Sequence, residues 1–404
     1  MSAPPVSSGP DTKLRATGRL LGVDAARGIA LIGMMSVHIV PRIDDDGTAS
    51  TAYLVASGRS AALFAVLAGV GLALVSGGPT PPRGRQLGAA VAGTLARSLV
   101  LLFVGLFLGG FDSGVAVILA YYAIFFAATT PFLGLSARTL LPLAAAWAVL
   151  APVLSQAIRP SMPAPSFGNP SMESLGDPVQ LIREITVTGY YPLLTWMAYL
   201  LAGLGVGRLA LRDSRVARNV LVGGAAVATA AWATSWLLLH PGGGFERLEA
   251  AGAAGTPIAG RSLELALTTS FAGTTPTSSW WWLAVVAPHS GSPFDMLHTI
   301  GTACVVLGAM LLLVRVARKA LWPLAAIGSM TFTLYTTHVL LLSGPLPRET
   351  DDAFLWHVIV ALAIAVPWRA FVGRGPLETA AAQLAGAARA AVVPPPTAAK
   401  PNPK

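Results

Sequence analysis

The sequence predicts an all-α polytopic membrane protein of about ten transmembrane helices with both termini cytoplasmic. Three observations predict it. Only 11% of the 404 residues are charged and the mean hydropathy is +0.65, where a soluble domain carries about 25% charged residues. The apolar residues fall in repeated runs of roughly twenty, the helix length that crosses a bilayer. The basic residues cluster in alternate connections between those runs.

The spans are expected at about 20–40, 59–78, 96–111, 114–133, 139–158, 190–208, 219–239, 296–314, 322–343 and 353–372. Several are rich in Gly and Ala, with Gly69 and Gly71 in the second and Gly105, Gly109 and Gly110 in the third. Small residues let helices approach closely in lipid. With the N-terminus placed inside, the inner segments hold 19 Lys and Arg against three acids, and the outer segments hold six against 14. Lys/Arg bias sets orientation, so an even number of spans follows. The net charge of +9 is thus a topology signal, and its scatter between apolar runs argues against nucleic acid as a partner.

Residues 1–18 read as a disordered cytoplasmic tail rather than a signal peptide, being polar and Pro-rich. Residues 381–404 read as a second tail, and 19–380 as one transmembrane domain. Cys304 sits alone in an apolar run, and no metal-ligand spacing, P-loop or CxxC is present. Two external loops are long, about 159–189 and 240–295. The second holds Trp280-Trp281-Trp282, either an interfacial anchor or part of a substrate cleft, with Trp281 as the contact residue.

Three charged residues remain inside spans: Asp24, Arg27 and Arg59. Intramembrane charge is costly and marks functional sites. Asp24 and Arg27 are three apart and can pair on one helix face. His38 lies 11 residues beyond Arg27, which at about 100° and 1.5 Å per residue returns it close to the same face, roughly 16 Å along the axis. The three form an expected polar stripe, with His38 suited to proton transfer by its near-neutral titration. Arg59 either snorkels to the interface or faces the same channel. His338 near Tyr335, and His289 with Ser290 and Asp295, are further candidates for substrate contact. Ser, His and Asp near in sequence make a triad only if geometry joins them. His240, His298 and His357 have no distinguishing context.

The run Arg19-Leu20-Leu21-Gly22-Val23-Asp24-Ala25-Ala26-Arg27-Gly28-Ile29-Ala30, ending in His38, resembles the first span of the transmembrane acyltransferase superfamily. That group includes heparan-alpha-glucosaminide N-acetyltransferase-like and bacterial YeiB-like membrane proteins. Its O-acylating branch carries an Arg, ten residues and a His, as Arg27 and His38 do. The loop that holds a catalytic His in the amino-sugar branch, here 41–58, contains none. Gly58-Arg59 with Leu63-Phe64-Ala65-Val66-Leu67-Ala68-Gly69-Val70, Ile327-Gly328-Ser329-Met330-Thr331-Phe332-Thr333-Leu334-Tyr335 and Gly375-Pro376-Leu377-Glu378 extend the resemblance to most of the chain.

The resemblance implies acyl transfer across a bacterial plasma membrane, from cytoplasmic acetyl-CoA or another acyl-CoA to an amino or hydroxyl group of an extracytoplasmic sugar or glycan. His38 would be the base, Arg27 would position the donor with Asp24 holding it, and Arg59, His338, His289, Tyr335 and Trp281 would face the acceptor. Arg27, Arg83, Arg85 and Arg97 would meet the CoA phosphates. No metal is expected, and a homodimer stays open. The alternative is a multispan transporter or exporter of a small polar or glycolipid substrate, which also suits polar groups at membrane depth.

Overall fold

The computed structural model describes residues 19–251, 262–269 and 271–394. Among them every regular element is helical, apart from one isolated bridge between Ile43 and Ala49. The chain runs through α1 (Leu21–Ile39), the short α2 (Thr51–Ala56) leading into α3 (Arg59–Val75), α4 (Gly84–Gly109), α5 (Leu119–Thr129), α6 (Ala137–Ile158) and the small α7 (Pro178–Arg183). It continues through α8 (Leu193–Gly207), α9 (Ser214–Leu239), the small α10 (Gly244–Ala250) and α11 (Leu263–Thr269), then α12 (Pro293–Leu313). The last elements are α13 (Trp322–Ser329), α14 (Thr331–Leu342), α15 (Ala353–Phe371) and α16 (Pro376–Val392).

Among the described residues, the ten expected spans resolve into seven helices long and apolar enough to cross a membrane, one broken pair, α13 with α14, and two shorter apolar helices, α5 and α8. These two fall short of the roughly twenty residues a free span needs. They sit inside the bundle instead: every residue of α8 from Thr195 to Gly207 is buried, with α3 on one side and α6 on the other. The third span begins at Gly84 rather than 96. Its added turns lie against α16, so Arg85 is a helical residue and not a loop residue.

α16 also changes the expected tail. Residues 381–392 continue a helix with Ala381 and Ala385 buried. Residues 1–18 and 395–404 lie outside the described residues.

α1 occupies the centre, packed on α3, α12 and α13. Its crossing with α13 is glycine on glycine. A Cβ on Gly28 would strike the Leu324 carbonyl, and one on Gly328 would strike the Asp24 carbonyl and the Gly28 amide. Only hydrogen at both positions permits that approach, a packing mode that replaces hydrophobic drive in lipid.

α13 and α14 meet at an 80° bend. Such a break strands amide donors at the new helix N-terminus. Glu378 of α16 supplies the acceptors: it takes bonds from Phe332 N at 2.7 Å, Thr333 N at 3.2 Å and Thr333 Oγ1 at 2.6 Å. The two distant segments that carried the family resemblance at the C-terminal end are therefore one structural joint.

On the same side, buried Arg208 donates to the carbonyls of Ala73, Ser76, Gly78 and Leu133 and to Ser76 Oγ. A cation at the C-terminus of α3 satisfies carbonyls that the helix leaves open.

Where described, the long loops are folded. Segments of 240–287 form a second small core in which Leu239, Leu248, Phe271 and Trp282 are buried. The three tryptophans part company: Trp280 is exposed, Trp282 is buried with Nε1 on Ser278 Oγ at 3.0 Å, and Trp281 lies under the Arg247 guanidinium at 4.8 Å. Trp281 thus helps hold this cap together through a cation–π contact.

Candidate active site

The 80° bend aims α14 so that His338 meets His38 at the end of α1. His38 Nδ1 and His338 Nε2 are 3.0 Å apart, with the rings 12° from parallel. On its other side, His338 Nδ1 lies 2.9 Å from Nδ1 of His357 on α15. His357 Nε2 then reaches the Leu346 carbonyl at 3.0 Å. Four residues from three helices and a turn make one hydrogen-bonded line. His338 and His357 are each 1% exposed, whereas His38 is half-buried and its Nε2 carries no bond among the described residues. The free end of the line is the His38 nitrogen.

His289 stands near that end. It and Arg348 lie within electrostatic range of His38. His289 Nε2 accepts the Gly58 amide at 3.2 Å, and the ring sits edge-on to Tyr191. His289 has φ of 59° and Gly58 has φ of 69°, so a tight apposition of two turns fixes this contact. Burial first, then the Arg42 charge, pushes the His289 imidazole down to about 4. A folded-state value below the unfolded 6.5 means that the unfolded chain binds the extra proton between these limits. Stability from His289 is therefore complete above pH about 6.5 and is lost as pH falls toward 4. We expect acid unfolding midpoints over that window to flatten in His289→Gln. Parallel pH-melting curves for the two proteins would refute this assignment.

Other expected site residues have structural partners. Tyr335 is 1% exposed and its hydroxyl accepts the Ile118 amide at 3.2 Å, ahead of α5. Arg59 donates to the Leu54 carbonyl at 2.6 Å and to His298 Nε2 at 3.4 Å, so it pairs with a different imidazole. His289, Ser290 and Asp295 do not form a triad. The Asp295 carboxylate accepts the Gly291 amide at 3.1 Å, while His289 is engaged by Gly58.

The opposite half of α1 corrects the expected stripe. Asp24 pairs with Arg19, through Nε at 3.0 Å and Nη2 at 2.8 Å, and not with Arg27. Arg19 precedes the helix, and both its Nε and Nη2 reach the Asp24 carboxylate. Arg27 instead points at α3, where Gly71 leaves room for its guanidinium and Leu67 O accepts Nη2 at 3.3 Å.

Nearby, the Tyr122 hydroxyl is buried with no hydrogen-bond partner among the described residues and lies in electrostatic range of Arg27. Arg97 on α4 feels Arg389, Arg27 and Arg374 as like charges, and Glu378 as the opposing one. Arg389 crosses Gly93, one turn from Arg97. Glu378 is already committed to the α14 joint. This end of the bundle therefore gathers several cations, and the two carboxylates near them, Asp24 and Glu378, are already engaged. Arg83 is exposed before α4, and Arg85 ties α4 to the Val392 carbonyl at 3.1 Å.

The residues that sequence reasoning missed include His357 and Arg19, and also Arg348 near His38 and Arg389 near Arg97. His357 lies 19 positions from His338, and the short Gly344-Pro345-Leu346-Pro347 connection was the one available hint that the two helix ends meet.

A family model described as heparan-alpha-glucosaminide N-acetyltransferase, catalytic, matches residues 19–239. No curated protein matches the chain. The matched segment holds Arg27 and His38, while His338 and His357 lie beyond it. The description points to membrane acetyltransferase activity, which agrees in kind with a free imidazole at the end of a polar line within a helical bundle. With more than half of its length matched, the chain belongs to the heparan-alpha-glucosaminide N-acetyltransferase catalytic family.

Proposed function

We propose that the protein transfers an acetyl group from cytoplasmic acetyl-CoA to an amino or hydroxyl group of an extracytoplasmic sugar in the plasma membrane. Both termini and the arginine-rich end of the bundle face the cytoplasm in this reading, as the Lys/Arg bias of the connections supports. The observation that carries it is the His38 ring, held through Nδ1 with Nε2 open.

In the reaction, the acceptor nitrogen or oxygen attacks the thioester carbonyl carbon as His38 Nε2 takes its proton. The carbon–sulfur bond then breaks, and the leaving thiolate receives that proton from the imidazolium, so free thiol and acetylated acceptor are the products. Arg27 stands roughly 16 Å along α1 from His38, a separation that suits the extended pantetheine arm of CoA. Arg27, Arg97 and Arg389 then meet the phosphates, which charge-assisted bonds favour. Asp24 and Arg19 anchor the start of α1. His289 and Arg348 flank the side from which the sugar enters.

The test is acetyl-CoA-dependent thiol release by the protein in nanodiscs, with glucosamine as trial acceptor. Arg97→Glu is expected to raise KM for acetyl-CoA by about tenfold or more, because one charge-assisted contact to phosphate is worth roughly 1.5–3 kcal/mol, with kcat changed less. Neither thiol release nor acetyl-CoA binding in calorimetry would defeat the reading and favour a transporter.

A further inference from the structure

The line of three imidazoles ends on a backbone carbonyl, and that end has a consequence for the other. We propose that His357, through its bond to Leu346 O, fixes the tautomer of every ring in the line and thereby makes Nε2 the basic nitrogen of His38. The proposal rests on the reading of His38 as the general base.

A carbonyl oxygen can only accept, so His357 Nε2 must carry the hydrogen. A neutral imidazole has one N–H, which leaves His357 Nδ1 with a lone pair. His338 Nδ1, at 2.9 Å, must then donate to it. His338 Nε2 in turn has the lone pair, and His38 Nδ1, at 3.0 Å, donates to it. Nε2 of His38 is left with a lone pair and no partner among the described residues. These hydrogens are assigned from the network, and the carbonyl permits one direction only. The reverse sequence would set a lone pair of His357 against the Leu346 oxygen and would place a hydrogen on His38 Nε2, where no proton could be taken.

The anchor is itself rigid. Leu346 lies between Pro345 and Pro347, which restricts its backbone, and its amide is bonded to Leu341 O at 2.9 Å. The cavity beside His338 and His357 is only about 10 Å³ and is otherwise lined by apolar side chains and Thr337, room for a single water at most.

The line also limits where the positive charge goes. When His38 becomes imidazolium, its Nδ1 proton can pass to His338 Nε2 while the His338 Nδ1 proton passes to His357 Nδ1. The carbonyl cannot take the next proton, so the charge stops at His357 and returns by the same bonds. His357 is therefore a positioning residue and not an exit for protons.

Two variants separate orientation from packing. In His357→Asn, the side-chain oxygen can stand near the place of Nδ1 and still accept from His338. In His357→Leu the acceptor is gone and both tautomers of His338 become available. We expect kcat to fall about 100-fold in the Leu variant, with KM for acetyl-CoA unchanged, and to stay within a few-fold of wild type in the Asn variant. Nitrogen-15 spectra of histidine-labelled protein should show a lone-pair Nε2 for His38 in wild type and in the Asn variant, and a mixture in the Leu variant. Equal kcat for the three folded proteins, or equal loss in both variants, would overturn the proposal, as would a wild-type His38 protonated at Nε2 alone. His38→Ala distinguishes the two levels. If that variant keeps full turnover, the base reading itself falls; if it is inactive while His357→Leu is normal, only the tautomer proposal falls.

Discussion

His38→Ala should abolish acetyl transfer while leaving a folded protein. General base catalysis contributes about 10²–10⁴ in rate, and no second imidazole can take over. His338 turns Nε2 toward the vacated position, but it is 1% exposed and sits behind His38. His289 is bonded to Gly58 through the nitrogen that would otherwise act. The fold should tolerate the change because His38 is half-buried and its side chain makes one hydrogen bond among the described residues. His38→Gln is the sharper companion, since an amide can still donate to His338 Nε2 but cannot accept a proton at neutral pH. It should be as inactive as the Ala variant, with a melting temperature closer to wild type. Thiol release from acetyl-CoA and thermal unfolding in detergent measure both quantities. Turnover at the wild-type rate in either variant would remove His38 from the chemistry.

The legible part of this site was the part written along one helix. Apolar run length located the spans, and the spacing from Arg27 to His38 put two polar residues on the first of them. Partners across helices were not legible. Asp24 and Arg27 are spaced to pair, yet each turns to a better-shaped neighbour: the fork of Arg19 in one case, and the gap left by Gly71 in the other. A spacing rule ranks contacts within a helix, and it carries no information on what the next helix offers. The histidine line was hidden for a related reason. Residues 322–343 read as one continuous span, and no proline marks the joint at Met330. Without the 80° bend, His338 has no reason to meet His38, and His357 has no reason to matter. Likewise, the C-terminal turn at Gly375-Pro376-Leu377-Glu378 was recognisable as a pattern but not as a part of that bend, since the 45 positions from Thr333 to Glu378 are closed only by folding.

That joint gives the second large effect. Glu378→Ala should lower stability by about 3 kcal/mol, because bonds to a charged acceptor are worth roughly 1.5–3 kcal/mol each and water recovers only part of them for these half-buried donors. Three donors lose their acceptor at once, two of them backbone amides at the start of a helix. The loss should reach the chemistry as well. Thr333 lies five positions before His338 on α14, so fraying of the first turn loosens the ring that orients His38. Activity per folded molecule should therefore drop together with the melting temperature. Glu378→Gln retains an oxygen for the amides but not the charge, and should fall between wild type and Ala on both measures. Hydrogen exchange at the Phe332 and Thr333 amides gives the local readout: protection in wild type, partial loss in Gln, and rapid exchange in Ala. If Glu378→Ala melts with wild type and those two amides stay protected, the carboxylate is not what holds the break, and the bend that brings His338 to His38 must have another support.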